Sequence, residues 1–196
     1  MKKLNPLALT GIIAGAVVLI LGATVAGTWV NAYNGEITRR ETINEKRGNV
    51  HNSLNARYDK VTQYIAAIES ANEIIIDLLE QITDARTAFA DAVASHNPEA
   101  ADDEAEKLDG AFIQLVSYME DNPDDLNPID LYEGFMGEFA ASTNVVLYNI
   151  ESFNQSAREY NVFIQTFPNN MFLQGKTTFE TYSVANYNTT LPTFSD

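Results

Sequence analysis

Twelve carboxylates fall between Glu99 and Glu133 against one base, Lys107, with Asp102-Asp103-Glu104, Glu120-Asp121 and Asp124-Asp125 as the densest runs. Hard cations take carboxylate oxygens, so calcium or magnesium is the chemistry this stretch invites. An EF-hand loop needs alternating acids, a Gly at its sixth place and a Glu at its twelfth. Counted from Asp121 those places hold Leu126 and Tyr132, and the pattern fails. Paired carboxylates also serve general acid and base catalysis, but only where an apolar pocket tunes them, and nothing here predicts one. The stretch reads as a solvated, acidic bundle end. His51 and His96 stand alone and read as solvent-facing residues at helix ends, since a zinc site needs three or four converging ligands. The chain has no Cys, which excludes disulfides, thiolate metal sites and thiol nucleophiles. It carries no glycine-rich dinucleotide loop, Walker loop or G-x-S-x-G elbow. No metal or cofactor is expected, and the chain does not read as an enzyme.

The elements that would position such groups begin with an apolar run. Leu7 to Val30 is 24 residues without a charge, preceded by Lys2 and Lys3 and followed by Asn31 and Tyr33. As a helix it reaches about 36 Å, against a hydrocarbon layer of about 30 Å. Residues 1–30 are therefore expected to be a transmembrane anchor; the rival reading is a signal peptide cut near Thr24-Val25-Ala26. Gly11 and Gly15, then Ala23 and Gly27, repeat the small-xxx-small spacing that lets membrane helices approach closely, and they are the candidate association face.

Beyond Val30 stand ten bases and all 27 acids, a net charge of −17, which disfavours nucleic acid as a partner. Helices are expected at about 31–53, 57–95, 98–121 and 128–167. In the first, Tyr33, Ile37, Ile43, Val50 and Leu54 are the apolar positions, Gly35 and Gly48 are soft points, and His51 to Asn55 is the expected turn. The second repeats Val61, Ile65, Ile68, Ile75, Leu79, Ile82, Phe89 and Val93, with Asn72 and Arg86 as polar seam positions. Asn97-Pro98-Glu99 starts the third, whose stripe is Ala101, Ala105, Leu108, Phe112, Leu115 and Met119 up to Asn122-Pro123. Asn127-Pro128 starts the fourth, with Tyr132, Met136, Phe139, Thr143, Val146, Ile150, Phe153, Ala157, Tyr160, Ile164 and Phe167 in one line ending at Pro168. The fold expected is all-α: an antiparallel up-and-down four-helix bundle over 31–167 behind an N-terminal transmembrane helix. Residues 168–196, with Phe172, Phe179, Tyr182, Tyr187 and Phe194, read as an extended strap packed along it, the alternative being an exposed binding arm. Of the two glycosylation sequons, at Asn154 and Asn188, the first lies mid-helix and is a poor acceptor.

Tyr33-Asn34 after the apolar run is followed by Leu54-Asn55-Ala56-Arg57-Tyr58-Asp59, Ala85-Arg86 and Tyr148-Asn149. Then come Ala157-Arg158-Glu159-Tyr160-Asn161, Phe167-Pro168-Asn169-Asn170, Phe179-Glu180 and Leu191-Pro192-Thr193-Phe194. On these pieces the chain resembles the LemA family of bacterial membrane proteins over nearly its whole length. Lys60 to Ile65 departs from the family's proline-containing stretch and implies a straighter second helix. The resemblance implies a four-helix bundle tethered to a membrane, with no catalytic residues. In it Arg86 and Arg158 pair with helix-borne acids, and Tyr160, Asn161, Phe167 and Pro168 end the last helix against its neighbours.

The function expected is a single-pass scaffold of the cell envelope, with the lipid bilayer, a second copy of itself or another envelope protein as partners. The alternative is a ligand- or cation-sensing ectodomain working with a separate signalling protein. Arg39, Arg40, Lys46 and Arg47 against Lys2 and Lys3 slightly favour a cytoplasmic bundle. Long domains translocate regardless of charge, and the Met-Lys-Lys start and acidic Cys-free bundle make the extracytoplasmic side the one expected.

Overall fold

The structure, a computed structural model, describes residues 5–65, 73–95, 97–122 and 129–183. Expectations placed on Ile68, Asn72, His96, Asp124, Asp125, Asn127-Pro128 and the tail beyond 183, or on the side chains of Val61, Ile65, Glu120, Tyr132 and Met136, lie outside what is described. Within it the chain is all-α: α1 (Pro6–Ile65), α2 (Glu73–Ala94), α3 (Pro98–Asp121), α4 (Ile129–Gln165) and a single turn, α5 (Asn169–Phe172). α1 packs on α4, and α2 packs on α3.

α1 corrects the reading of the first helices. In place of a turn at His51 to Asn55 there is one helix of 60 residues that carries the apolar run straight into the packed part of the molecule. The reason is tertiary. Val50, His51, Leu54 and Tyr58 are all buried, and a packed face overrides the preference of Asn52, Ser53 and Asn55 for caps. The Ser53 hydroxyl bonds back along the helix to the Val50 carbonyl at 2.8 Å instead of capping a new one. The helix expected over 57–95 is described in two stretches, in α1 up to Ile65 and in α2 from Glu73, and residues 66–72 between them lie outside what is described.

The inward line of α1 also differs from expectation at its start. Tyr33 and Ile37 are exposed, whereas Ala32 and Glu36 are buried. One heptad position reads Glu36, Ile43, Val50 and Arg57, all fully or nearly fully enclosed. Gly35 is a close approach and not a soft point: a Cβ there would meet Phe163 Cζ at 2.7 Å.

In α2 the buried line is Ile75, Leu78, Ile82 and Phe89, with Leu78 in the place expected of Leu79, and Val93 exposed. α3 buries its whole expected stripe, and its start is capped as the sequence implied: Asn97 Oδ1 accepts from the Ala100 amide at 3.2 Å, with Pro98 in the first turn. In α4 the described stripe from Phe139 to Ile164 is buried, but Phe167 is 73% exposed because the helix ends at Gln165, before it.

Residues group into two compact units. One comprises Met1–Thr42 with Ser156–Glu180; the other comprises Ile43–Gln155 with Thr181–Asp196. In the first, α1 and α4 meet through Glu36 and Tyr160, and the chain after α5 turns at Gly175, whose φ of 88° suits glycine. In the second, Phe112 lies between Tyr58, stacked at 5.6 Å, and Phe139 at 6.2 Å, while Phe89 meets Tyr58 edge-on at 5.9 Å.

Candidate functional site

Among the described residues, the buried polar side chains of α1 form three ties. In the first unit Glu36 is 0% exposed, and its Oε1 accepts from the Tyr160 hydroxyl of α4 at 3.2 Å. Lys176 Nζ stands 3.3 Å and Arg40 Nε 3.7 Å from the same oxygen, while Oε2 has no hydrogen-bond partner. Burial, then the neighbouring carboxylate, pushes the Tyr160 phenol up to about 12, so it stays a donor.

In the second unit, His51 Nε2 lies 2.7 Å from Asp102 Oδ1 of α3, and the Tyr182 hydroxyl donates to the same oxygen. A carboxylate only accepts, so the His51 proton sits on Nε2. Arg47 Nε is 3.6 Å from Asp102 Oδ2, and its guanidinium lies 5.2 Å from the Phe153 ring. This corrects the reading of His51 as a solvent-facing helix end: it is buried, mid-helix and edge-on to Phe89 at 5.7 Å. Asp102, expected as part of a solvated acidic end, is taken up in the same tie.

Deeper in this unit Arg57 is 1% and Asp109 2% exposed, and Arg57 Nη2 donates to Asp109 Oδ1 at 2.5 Å. The Tyr58 hydroxyl is 3.0 Å from that oxygen and 3.2 Å from the Ala105 carbonyl, and Arg57 lies 4.2 Å over the Phe139 ring. Burial drives the Asp109 carboxyl above its ordinary range, against the pull of Arg57 and Tyr58.

The strap is held by its backbone. Asn161 Nδ2 donates to the Phe179 carbonyl and its Oδ1 accepts from the Phe179 amide, both at 2.9 Å. Asn154 does the same to Tyr182, at 3.0 and 2.9 Å. Seven residues of helix advance about 10.5 Å and three extended residues about 10 Å, which is why asparagines seven apart match amides three apart. Each strap ring covers a helix ring beside its bracket: Phe179 on Tyr160 at 5.1 Å, and Tyr182 on Phe153 at 5.0 Å. The Asn154 amide of the first sequon is thereby occupied.

Of the residues singled out from sequence, Arg86 reaches Asp59 of α1, and Tyr160 and Asn161 make the contacts just described. Arg158 is exposed, and Pro168 follows a cis peptide bond and opens α5. Phe167, expected to pack against neighbours, does not. Gly11, Gly15, Ala23 and Gly27 lie on the exposed apolar part of α1, where a Cβ added to any of the three glycines meets nothing within 4 Å. Sequence reasoning missed Glu36, Arg57 and Asp109. Among the described residues no three His, Cys, Asp or Glu side chains converge on a metal position. Every tie joins α1 to another helix or to the strap, so what this arrangement does chemically is fix the register of α1.

The model of the LemA family matches residues 46–195. No curated protein matches the chain.

Proposed function

The chain belongs to the LemA family, and from that premise we propose that it is a membrane-anchored scaffold, acting by association with itself or another envelope protein and not by catalysis. The observation that carries this is α1. It is long and apolar enough to cross a membrane in its first half, and it continues without a break into the buried seam of Ile43, Val50 and Leu54. Among the described residues, the buried ionisable groups support the same reading, because Glu36, His51, Arg57 and Asp109 are engaged in ties between elements. On this reading the bundle lies on the extracytoplasmic side, which the acidic, Cys-free composition beyond the span supports.

Fractionation with cross-linking in intact cells tests this. The chain is expected in carbonate-washed membranes, digestible by external protease only once the outer barrier is opened, and cross-linked to itself or to a recurring envelope partner. Recovery in the soluble fraction, or as monomer alone at every cross-linker concentration, contradicts it.

A further inference from the structure

The seam between α1 and α4 in the first unit opens at one end. Tyr160 meets Glu36, and Phe163 approaches Gly35, so the helices run antiparallel there. α4 ends at Gln165, about 7.5 Å beyond Tyr160, and Phe167 follows in the turn to α5, whereas α1's next seam residue is Trp29, about 10.5 Å beyond Glu36. Both leave the core: Phe167 is 73% and Trp29 49% exposed, and Met171 on α5 is 59% exposed. Trp29 is also where the apolar run ends, beside Tyr33 at 5.1 Å between ring centroids. The corner between α4 and α5 therefore follows the end of α4 that runs towards the candidate membrane span.

We propose that this corner, through Phe167 and Met171, dips into the phospholipid headgroup layer as a second membrane contact beside the span. It rests on the reading that α1 crosses the bilayer. The occupant is argued from continuity and charge. The headgroup layer adds about 5–7 Å on each side of the hydrocarbon, which suits aromatic rings whose bodies are apolar. Side chains on a helix lean towards its N-terminus, so Arg39 and Arg40 lean towards the span. Arg39 is fixed there over the Phe163 ring at 4.0 Å. Beyond the span this unit has four bases against four acids, whereas the other has six against 23, so it is the part of the molecule that an anionic lipid surface repels least.

The chain has no Cys, so single cysteines report cleanly. The whole chain, reconstituted in phosphatidylcholine and phosphatidylglycerol vesicles, is labelled with an environment-sensitive fluorophore at Phe167→Cys, Met171→Cys, Val17→Cys in the span or Tyr148→Cys on exposed α4. Nitroxide carried on the lipid headgroup region is the quencher. Labels at 167 and 171 are expected to be quenched several-fold more than the label at 148. Equal quenching at 167, 171 and 148, with the Val17 label still inside the bilayer, overturns the contact alone. A label at 167 shielded from water but untouched by lipid nitroxide also overturns it, because protein then covers the corner. A Val17 label outside the bilayer defeats the spanning reading and the contact with it.

Discussion

Arg57 and Asp109 share one hydrogen bond of 2.5 Å inside the protein, and each keeps polar atoms without a partner: Nε and Nη1 on the arginine, Oδ2 on the aspartate. A buried pair so incompletely satisfied costs more in desolvation than apolar side chains of the same volume, yet losing one partner is worse than losing both. Asp109→Ala should destabilise the protein by about 3–5 kcal/mol. Arg57→Met with Asp109→Leu should recover most of that loss. Unfolding of the detergent-solubilised chain followed by circular dichroism measures both; strictly additive losses would show that the two charges are not coupled.

The same pair sets a pH dependence. Burial holds the Asp109 carboxyl above its ordinary value, so the native state keeps a proton that the unfolded chain gives up near pH 4. Stability of the wild type relative to Asp109→Asn should fall as pH rises from about 4, then level off once the native-state value is passed. The opposite slope in a pH series of unfolding free energies would mean that Arg57 outweighs burial.

Two asparagines hold the strap, and each makes both of its bonds to a single strap residue. Asn161→Ala and Asn154→Ala should each release about 1–3 kcal/mol of strap binding. Amide exchange should quicken at Phe179 for the first and at Tyr182 for the second, leaving α3 unchanged. Unaltered exchange at both amides would show that ring packing alone retains the strap.

Continuity of α1 through residues 51–55 is open to a proline test. Ser53→Pro removes a helical hydrogen bond and clashes with the preceding turn, which in an uninterrupted helix costs about 3 kcal/mol or more. A turn at this place would accept the change with little loss. The thermal midpoint by circular dichroism separates the two.

The bundle was legible because its helices announce themselves. The stripe from Ala101 to Met119 and that from Phe139 to Ile164 are apolar at helical spacing, and Asn97-Pro98 is a cap that local chemistry dictates. The turn at His51 to Asn55 was misread because Asn and Ser favour caps only where no packing competes. The ties were missed for a related reason. Ile43 and Val50 define a heptad position, and stepping seven residues back through a polar residue gives Glu36, seven forward Arg57. A search restricted to apolar residues stops short of both and selects Tyr33 and Ile37. Asp109 gives no local signal, since one acid among many in α3 becomes special only by facing Arg57. Phe167 belongs to its heptad by spacing, but the helix ends before it.

Association in the bilayer is the claim on which the function rests, and Gly15 gives access to it. A Cβ added there meets nothing within 4 Å, so Gly15→Leu is placed to alter what another helix can approach. The measurement is energy transfer between donor- and acceptor-labelled copies of the full chain in vesicles, followed over increasing lipid dilution. Transfer that persists at dilutions where random proximity vanishes, and that Gly15→Leu sharply reduces, is the predicted result. Transfer no greater than random proximity gives, in membranes that also hold no other protein cross-linked to the chain in cells, would contradict the scaffold.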